Sequence, residues 1–362
     1  MFLAPNTRPC GDLEMRLVAL FASLVGLALF FSLGAPAGEG KPVLIEEVRP
    51  ASTSLRADVR DVFVVNITPG TKKVRAWFEL PLEEPLQRIT DLKITAPDGY
   101  RIENEKLAGN RFLYVEIAEP KAASIEVVVT FTVERWESAP SAERARALTS
   151  EEKEALASQL AEFPNGEATD KIQAKTEELA KGVEDPVAQA RKFYDYIIDN
   201  AEYWKKDPER LKASGKGSAS YCMDCKTGNC TDFHSLYQAM ARVVDLPTQF
   251  VMGTALRKEL DGVEKFDEKL KEPSYHCWVR TYFPGRGWVY SDISYADVTP
   301  EKKEYYFDHV DANRVAFSCG RNIDLAPKQD RAKLNWFIKC YVEADGEEHT
   351  AWSRELTYRS SK

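Results

Sequence analysis

Regular alternation of apolar and polar residues marks the part of the chain from residue 41 to 136. Residues 74–80 and 125–133 place apolar, mostly β-branched or aromatic side chains at every second position, which is typical of half-buried strands. Turn residues such as Pro97-Asp98-Gly99 separate these runs. We therefore predict a small antiparallel β-sandwich over residues 41–136. Nothing in it suggests chemistry, so we expect it to act as a scaffold or to present substrate.

The pattern becomes helical after this region. Residues 137–184 are rich in Ala, Glu, Lys and Ser and predict a helical connector of two short helices. Asp185 and Pro186 then begin a longer helix, because Asp is a favourable N-cap and Pro fits the first helical position. Further along, Gly228 precedes another apolar-periodic stretch, so Cys230 is predicted to lie in the first turn of a helix.

The N-terminus contains an apolar, uncharged run over residues 17–34. Arg16 precedes it, and Ala35-Pro36-Ala37 follows as the small-x-small pattern of a signal-peptidase site. We predict that residues 1–37 are a signal peptide, cleaved near Ala37. The alternative is an uncleaved membrane anchor, because a run of about 18 apolar residues can just span a bilayer. Both alternatives place the rest of the chain outside the cytoplasm, as a secreted or periplasmic protein.

Composition and charge exclude some classes of partner. The chain of 362 residues has a net charge of -8, with 44% hydrophobic and 29% charged residues, which is an ordinary balance for a globular protein. Acidic and basic residues are interspersed, and no stripe of Lys and Arg stands out that would bind phosphates. We therefore expect no nucleic-acid partner, and no membrane partner beyond an N-terminal anchor.

Seven cysteines must be accounted for in an oxidising compartment. Cys10 leaves with the signal peptide. Cys319 and Cys340 lie in apolar segments that would pair as neighbouring strands. Among the possible pairs of cysteines, we therefore predict a disulfide between these two. The spacing of Cys222 and Cys225 suits zinc or a redox pair, but no second ligand pair accompanies them. No acidic loop resembles a calcium site either, so we predict neither a metal nor a cofactor.

A nucleophile, a base and an orienting carboxylate can be proposed from three positions. The unpaired N–H groups and the dipole of a helix start favour the thiolate form of Cys230. His276 lies on a predicted strand, and residues 284–287 turn the chain toward Asp292. If the loop comprises residues 284–286, Asp292 is the diagonal neighbour of His276 on one face of the sheet. An even loop would place the two on opposite faces.

Each of these assignments has a rival. His234, four residues after Cys230 on the same helix face, is a second candidate base, although it has little freedom to shuttle protons. Cys230 is alternatively a buried structural thiol, His276 a strand histidine and Asp292 the cap of a turn. The residues by themselves leave these alternatives open.

Two runs of the sequence resemble the bacterial transglutaminase-like superfamily, namely GNCTDFHSLYQAMARVVDLPTQFVMG and YHCWVRTYFPGRGWVYSDIS. The shared pattern is a Cys at a helix start, a His before Trp on a strand, and an Asp after Gly-Trp on the next strand. The likeness covers roughly residues 185–300. It implies that Cys230 is the nucleophile, His276 the base and Asp292 its orienter, arranged as in papain-like proteases.

The resemblance also implies the fold. We expect an α+β protein in which the N-terminal antiparallel β-sandwich precedes a transglutaminase-like, papain-like core, with the nucleophile's helix packed on an antiparallel sheet. The catalytic domain is expected to comprise residues 185–362, including the C-terminal strands. Around the triad, Asn229, Tyr203 and Trp278 are candidates for stabilising an oxyanion or lining the site. Asn229 is alternatively a turn residue, and Tyr203 a core aromatic.

The predicted function is acyl transfer through a thioester. Attack of the thiolate on a protein or peptide amide releases an amine, after which water gives hydrolysis and a lysine amine gives cross-linking. The resemblance favours hydrolysis by a protease or amidase, because bacterial members without the large animal architecture are often of this kind. The alternative is a non-catalytic extracytoplasmic binding or structural protein, in which Cys230 is locked in a disulfide with Cys222 or Cys225.

Overall fold

The computed structural model describes residues 50–105, 108–138, 143–256, 270–271 and 275–361. These residues belong to one compact unit. The predicted signal peptide, residues 1–37, lies outside the described residues. Within the described ranges, no helix is both long enough and apolar enough to cross a membrane.

The described residues form the following strands and helices. The strands are β1 (Pro50–Asn66), β2 (Lys73–Glu79), β3 (Gln87–Thr95), β4 (Arg101–Asn104), β5 (Arg111–Ala118), β6 (Ser124–Ser138), β7 (Glu202–Tyr203), β8 (Thr227–Gly228), β9 (Thr248–Ala255), β10 (Leu270–Lys271), β11 (Tyr275–Phe283), β12 (Gly287–Ser291), β13 (Arg314–Cys319), β14 (Cys340–Ala344), β15 (Glu347–Glu348) and β16 (Trp352–Ser361). The α-helices are α1 (Ser150–Ala155), α2 (Ala157–Leu160), α3 (Asp170–Ala180), α4 (Pro186–Asn200), α5 (Ala219–Cys225), α6 (Cys230–Val243) and α7 (Ile293–Val298).

Two five-stranded antiparallel sheets form the sandwich, with strand orders β10-β16-β1-β6-β3 and β15-β14-β2-β5-β4. The alternation read from the sequence turns the apolar side chains of both sheets toward each other. Phe63 of β1 and Phe78 of β2, for example, meet edge to face with ring centroids 5.3 Å apart. The α+β fold class with an N-terminal sandwich is therefore confirmed.

The C-terminal strands complete this sandwich, which differs from the predicted catalytic domain of residues 185–362. Cys340 on β14 pairs with Phe78 on β2, and Tyr358 on β16 pairs with Val59 on β1. Alternation predicts the faces of a strand but not its partner, so the sequence could not assign these strands to a sheet. Cys319 lies on β13 in a different sheet, and both thiols are free. The predicted disulfide between Cys319 and Cys340 is therefore wrong.

The connector between the two parts contains α1, α2 and α3, where two helices were predicted. Helix α1 begins with a capping box, because Thr149 and Glu152 each accept a hydrogen bond from the other's backbone N–H. Helix α4 begins as predicted, with Asp185 as the N-cap and Pro186 in the first turn.

A four-stranded antiparallel sheet with the order β12-β11-β9-β13 forms the second part of the molecule. Helix α6 packs on it, and the hydroxyls of Tyr237 and Thr281 lie 3.2 Å apart between helix and sheet. Gly253 lets the central strand approach its neighbour, since a Cβ there would lie 2.0 Å from the Val315 carbonyl oxygen and 2.5 Å from the Trp278 ring. Helix α6 is thereby held on β11, and β9 is packed closely between β11 and β13.

A buried ion cluster lies inside the sandwich. Arg354 of β16 donates two hydrogen bonds to Asp61 of β1, at 2.8 and 2.5 Å, and its guanidinium also contacts the carboxyl of Glu79 of β2. One guanidinium thus faces two carboxyls, and all three groups are buried. Burial raises the pKa of Glu79 to about 8, because the charge of Arg354, which also serves Asp61, lowers it only in part.

This cluster predicts a loss of stability as the pH rises. A folded-state pKa above the unfolded value of about 4.5 means that the folded state holds a proton that the unfolded chain has released. The contribution is complete below the unfolded pKa and is lost as the pH rises through about 8. We expect Glu79→Gln to flatten the fall of the unfolding free energy between pH 5 and pH 8 in urea titrations, where one group contributes about 1.4 kcal/mol per pH unit. Glu126→Gln, at an exposed position of β6, should keep the wild-type slope. Equal slopes in all three proteins would contradict the prediction.

Candidate active site

The nucleophile candidate lies at the first position of α6. Asn229 is the N-cap and forms a capping box with Asp232. Gly228 is required before it, because a Cβ there would lie 2.5 Å from the Cβ of Asp232. These contacts place Cys230 at the helix start, where its side chain is 3% exposed.

The carboxylate of Asp232 also fixes the chain that runs beside the nucleophile. It accepts hydrogen bonds from the backbone N–H of Asn229 at 3.0 Å, of Ser214 at 3.1 Å and of Ser218 at 2.8 Å, and a further one from the Ser214 hydroxyl. Asp232 is fully buried. One carboxylate therefore holds both the cap of α6 and the segment 214–218.

The hairpin of β11 and β12 has the register that the odd loop requires. Phe283 pairs with Gly287 and Val279 with Ser291, so the loop comprises residues 284–286. Asp292 then follows β12 as the diagonal neighbour of His276, as predicted. Nε2 of His276 lies 2.6 Å from Oδ2 of Asp292.

Asp292 combines the two roles considered for it. Its Oδ1 caps α7 by accepting from the Tyr295 backbone N–H at 3.0 Å and from the Ser294 hydroxyl at 3.1 Å. Its Oδ2 accepts from His276 and, at 3.0 Å, from the guanidinium of Arg314. Burial would raise the pKa of Asp292, but the charge and hydrogen bond of His276 and the charge of Arg314 hold it well below its usual range. Asp292 is therefore an anion.

The imidazole of His276 is oriented by two contacts. Its Nε2 faces Asp292, and the Tyr295 ring stacks on it with centroids 4.0 Å apart and planes inclined by 16°. The remaining nitrogen, Nδ1, is left for the side-chain hydrogen bond with Cys230. Burial opposes the charged imidazolium, yet the charge and hydrogen bond of Asp292 raise the pKa of His276 to about 9.

The sulfur of Cys230 has two side-chain partners, Cys277 and His276. The hydrogen bond with Cys277 lowers the pKa of Cys230, burial raises it, and the hydrogen bond and charge of His276 lower it further, to about 5. The lowered pKa of Cys230 and the raised pKa of His276 both favour the thiolate–imidazolium pair over the neutral pair. This pair is the reactive form of a cysteine nucleophile.

His234, the rival base, has a different environment. Its Nδ1 lies 2.7 Å from the Cys230 carbonyl oxygen and 3.3 Å from the Cys277 sulfur, and its Nε2 accepts from the Ile293 N–H at 3.1 Å. Burial lowers the pKa of His234 to about 4, so the ring is neutral. Both of its nitrogens are engaged, which leaves neither for proton transfer at Cys230.

The three lining candidates occupy different places. Asn229 uses its backbone N–H on Asp232, accepts from Asp232 through Oδ1, and donates from Nδ2 to the Tyr275 hydroxyl at 3.3 Å, so it has the role of an N-cap. Tyr203 is half-buried against the Phe233 ring. Burial and then the charge of Cys230 raise the pKa of its hydroxyl. Trp278 shares the His276 side of the strand but is fully buried.

Two residues of the site were missed by sequence reasoning. Arg314 lies at the start of β13, bridges Asp292 to Asp311 at 3.0 and 2.8 Å, and lies 4.7 Å from the Trp278 ring. Tyr295 stacks on His276 from α7. Neither has a local sequence signal, because a buried Arg on a strand and a Tyr in a short helix acquire these roles only through tertiary contacts.

Other potential sites lie apart from this arrangement. Cys222 and Cys225 both lie on α5, and the described residues contain no group of three His, Cys, Asp or Glu side chains that would hold a metal ion. A cavity of about 210 Å³ lies farther along α6, where Gln238, Gln249 and Arg321 line it. Neither Cys230 nor His276 contributes to that cavity.

Comparison with protein families matches residues 173–293 to the transglutaminase-like superfamily core. The matched segment contains α4 to α6, β9, β11 and β12, and it ends one residue after Asp292. The resemblance carried by the two sequence runs is thereby confirmed for this segment, which is a transglutaminase-like core.

Solved structures and a curated relative show likeness over longer stretches. A proposed cysteine protease from Cytophaga hutchinsonii has a TM-score of 0.51 at 15% identity, covering 85% of this chain and 99% of that one. The periplasmic domain of TgpA from Pseudomonas aeruginosa has a TM-score of 0.33 at 14% identity, covering 70% and 92%. An uncharacterized protein of Haemophilus influenzae is 26% identical over 193 residues, which is 45% of this chain and 50% of that protein. The chain thus spans about half the length of this relative.

These findings define the class of protein as far as the core is concerned. The first structure shares the fold over most of both chains, and the family match covers the segment that carries Cys230, His276 and Asp292. Together they show that this segment has the fold of a transglutaminase-like core.

The contacts of Asp232 predict a large effect of its removal on stability. Asp232→Ala leaves three backbone N–H groups and one hydroxyl without their acceptor, which we expect to lower the free energy of unfolding by about 3 kcal/mol in urea titrations. Asp224→Ala is the matched control, because its partner Lys171 is exposed and such pairs contribute less than about 1 kcal/mol. Similar losses in the two variants would contradict the structural role assigned to Asp232.

Proposed function

We propose that the protein is an exported cysteine-dependent acyl-transfer enzyme that acts on protein or peptide amides. The observation that carries the proposal is the chain of contacts from Cys230 through His276 to Asp292, with the nucleophile at a helix start and the base held by a buried anion. Export is supported by the apolar run and the Ala35-Pro36-Ala37 pattern at the N-terminus.

The mechanism that we propose begins with the ion pair. The Cys230 thiolate attacks the amide carbonyl carbon, and the carbonyl oxygen becomes an oxyanion at the helix start. The amides of Asn229 and Asp232 already donate to the capping box, so we assign the oxyanion to the N–H of Cys230 itself, at the first position of α6. The His276 imidazolium then gives its proton to the leaving amine, which leaves a thioester on Cys230.

The thioester has two fates, and we favour hydrolysis. Water attacks the thioester carbonyl while neutral His276 takes its proton, which releases a carboxylic acid and regenerates the thiolate–imidazolium pair. The Cytophaga hutchinsonii protein of the same fold is described as a proposed cysteine protease, which supports this fate. Attack by a lysine amine instead would give cross-linking.

The non-catalytic alternative requires that Cys230 be blocked by Cys222 or Cys225. Cys230 itself is a free thiol in the structure. This state supports a catalytic rather than a structural Cys230.

The roles of the two histidines can be separated by substitution. Cys230→Ala should abolish thioester formation from a peptide library, and His276→Ala should lower the rate by about a thousandfold or more. His234→Ala should retain substantial activity, because its nitrogens serve the Cys230 carbonyl oxygen and the Ile293 amide instead. Mass spectrometry of the trapped acyl-enzyme measures the rate and identifies the acyl donor. Full activity of Cys230→Ala, or a loss in His234→Ala that matches the His276→Ala loss, would refute the assignment.

The ion pair also predicts the pH dependence. Protonation of Cys230 removes the nucleophile below about pH 5, and loss of the His276 proton removes the general acid above about pH 9. We expect kcat/KM for an amide substrate to form a bell with these limbs, which belong to the pair as a unit. A single rise of kcat/KM with a midpoint near pH 8.5, as for an isolated thiol, would show that the thiolate–imidazolium pair does not form.

A further inference from the structure

The sulfur of Cys230 is approached from a second side by Cys277, the residue next to the proposed base. His276 and Cys277 point to opposite faces of β11 because they are consecutive residues of a strand. The Cys277 side chain is fully buried in the same hydrophobic cluster as Cys230. The two cysteine side chains are hydrogen-bond partners, and the Cys277 backbone N–H also points to the Cys230 sulfur.

The direction of the thiol hydrogen follows from His234. A backbone N–H can only donate, so the bond from Ile293 makes Nε2 of His234 an acceptor without a hydrogen. The ring is neutral, so its hydrogen is on Nδ1, which faces both the Cys230 carbonyl oxygen and the Cys277 sulfur. The Cys277 sulfur therefore meets a donor on the His234 side, and its own hydrogen is left for Cys230.

We propose that Cys277 is a positioning residue, whose thiol donates a hydrogen bond to the Cys230 thiolate and stabilises the nucleophile from the side opposite His276. A neutral donor is suited to this place, because it stabilises the anion without competing for the leaving-group proton. Burial and the hydrogen bond with Cys230 raise the pKa of Cys277 well above its ordinary value, so it remains a thiol. The proposal deepens the proposed function, since it rests on Cys230 as nucleophile.

Several other titratable or charged groups lie around Cys230 and Cys277 and must be kept constant in a test. They come from α6, β7, β11 and α7 and from the chain after β12 and β13, namely His234, Asp232, Tyr203, Tyr275, His276, Asp292, Tyr295 and Arg321. A substitution confined to the Cys277 side chain leaves all of them in place.

The test measures thiolate formation directly, without a substrate. Iodoacetamide alkylates the thiolate of Cys230, and mass mapping of the Cys230 peptide gives its rate as a function of pH in the full-length protein. In Cys277→Ala we expect the midpoint of this profile to rise from about 5 by one pH unit or more, so that the rate at pH 5 falls at least about fivefold. In Cys277→Ser the hydroxyl still donates, so the midpoint should rise by less than in Cys277→Ala.

Cys340→Ala is the matched control, because its thiol is also buried on a strand but lies in the sandwich. Its profile should coincide with that of the wild type, and far-UV circular dichroism should show that all variants are folded. An unshifted midpoint in Cys277→Ala, or shifts of equal size in Cys277→Ala and Cys277→Ser, would overturn the proposal. A shifted midpoint together with a complete absence of acyl transfer would instead overturn the proposed function and leave the role of Cys277 intact.

Discussion

An ionised carboxylate without exposed surface has to be surrounded by hydrogen-bond donors, and Asp292 meets this condition through three parts of the chain. His276 donates from β11, Arg314 from β13, and the first turn of α7 from its own backbone and Ser294. The hairpin, the far strand of the sheet and the short helix are thereby tied to one anion. The orientation of His276 toward Cys230 depends on this arrangement.

Two chains of polar contacts converge on the Cys230 sulfur and differ in charge. The chain through His276, Asp292 and Arg314 is ionic, and it raises the pKa of the base while holding that of the carboxylate low. The chain through Cys277 and His234 is neutral, because burial prevents the protonation of His234 and the ionisation of Cys277. The ionic side supplies the proton that the leaving amine needs, whereas the neutral side supplies only hydrogen bonds.

The site is also held by contacts that have no part in the chemistry. Asp232 joins the helix cap to the segment 214–218, and Gly253 lets β9 approach β13 behind the base. The C-terminal strands β14 and β16 pair with β2 and β1, so the chain after β13 adds a strand to each sheet of the sandwich. The sandwich and the core are therefore parts of one compact unit.

The sequence by itself determined the elements and the position of the nucleophile, because these depend on local physics. Alternation marked the strands, and Gly228 marked the start of α6. The sequence left open whether the hairpin loop is odd or even, and the pairing of Phe283 with Gly287 decided that Asp292 lies beside His276. Only the tertiary structure decided which sheet received β14 and β16, because alternation specifies faces and not partners. It also decided that Arg314 supports Asp292 and that His234 is neutral. Those roles come from burial and from neighbours distant in sequence, which no local pattern records.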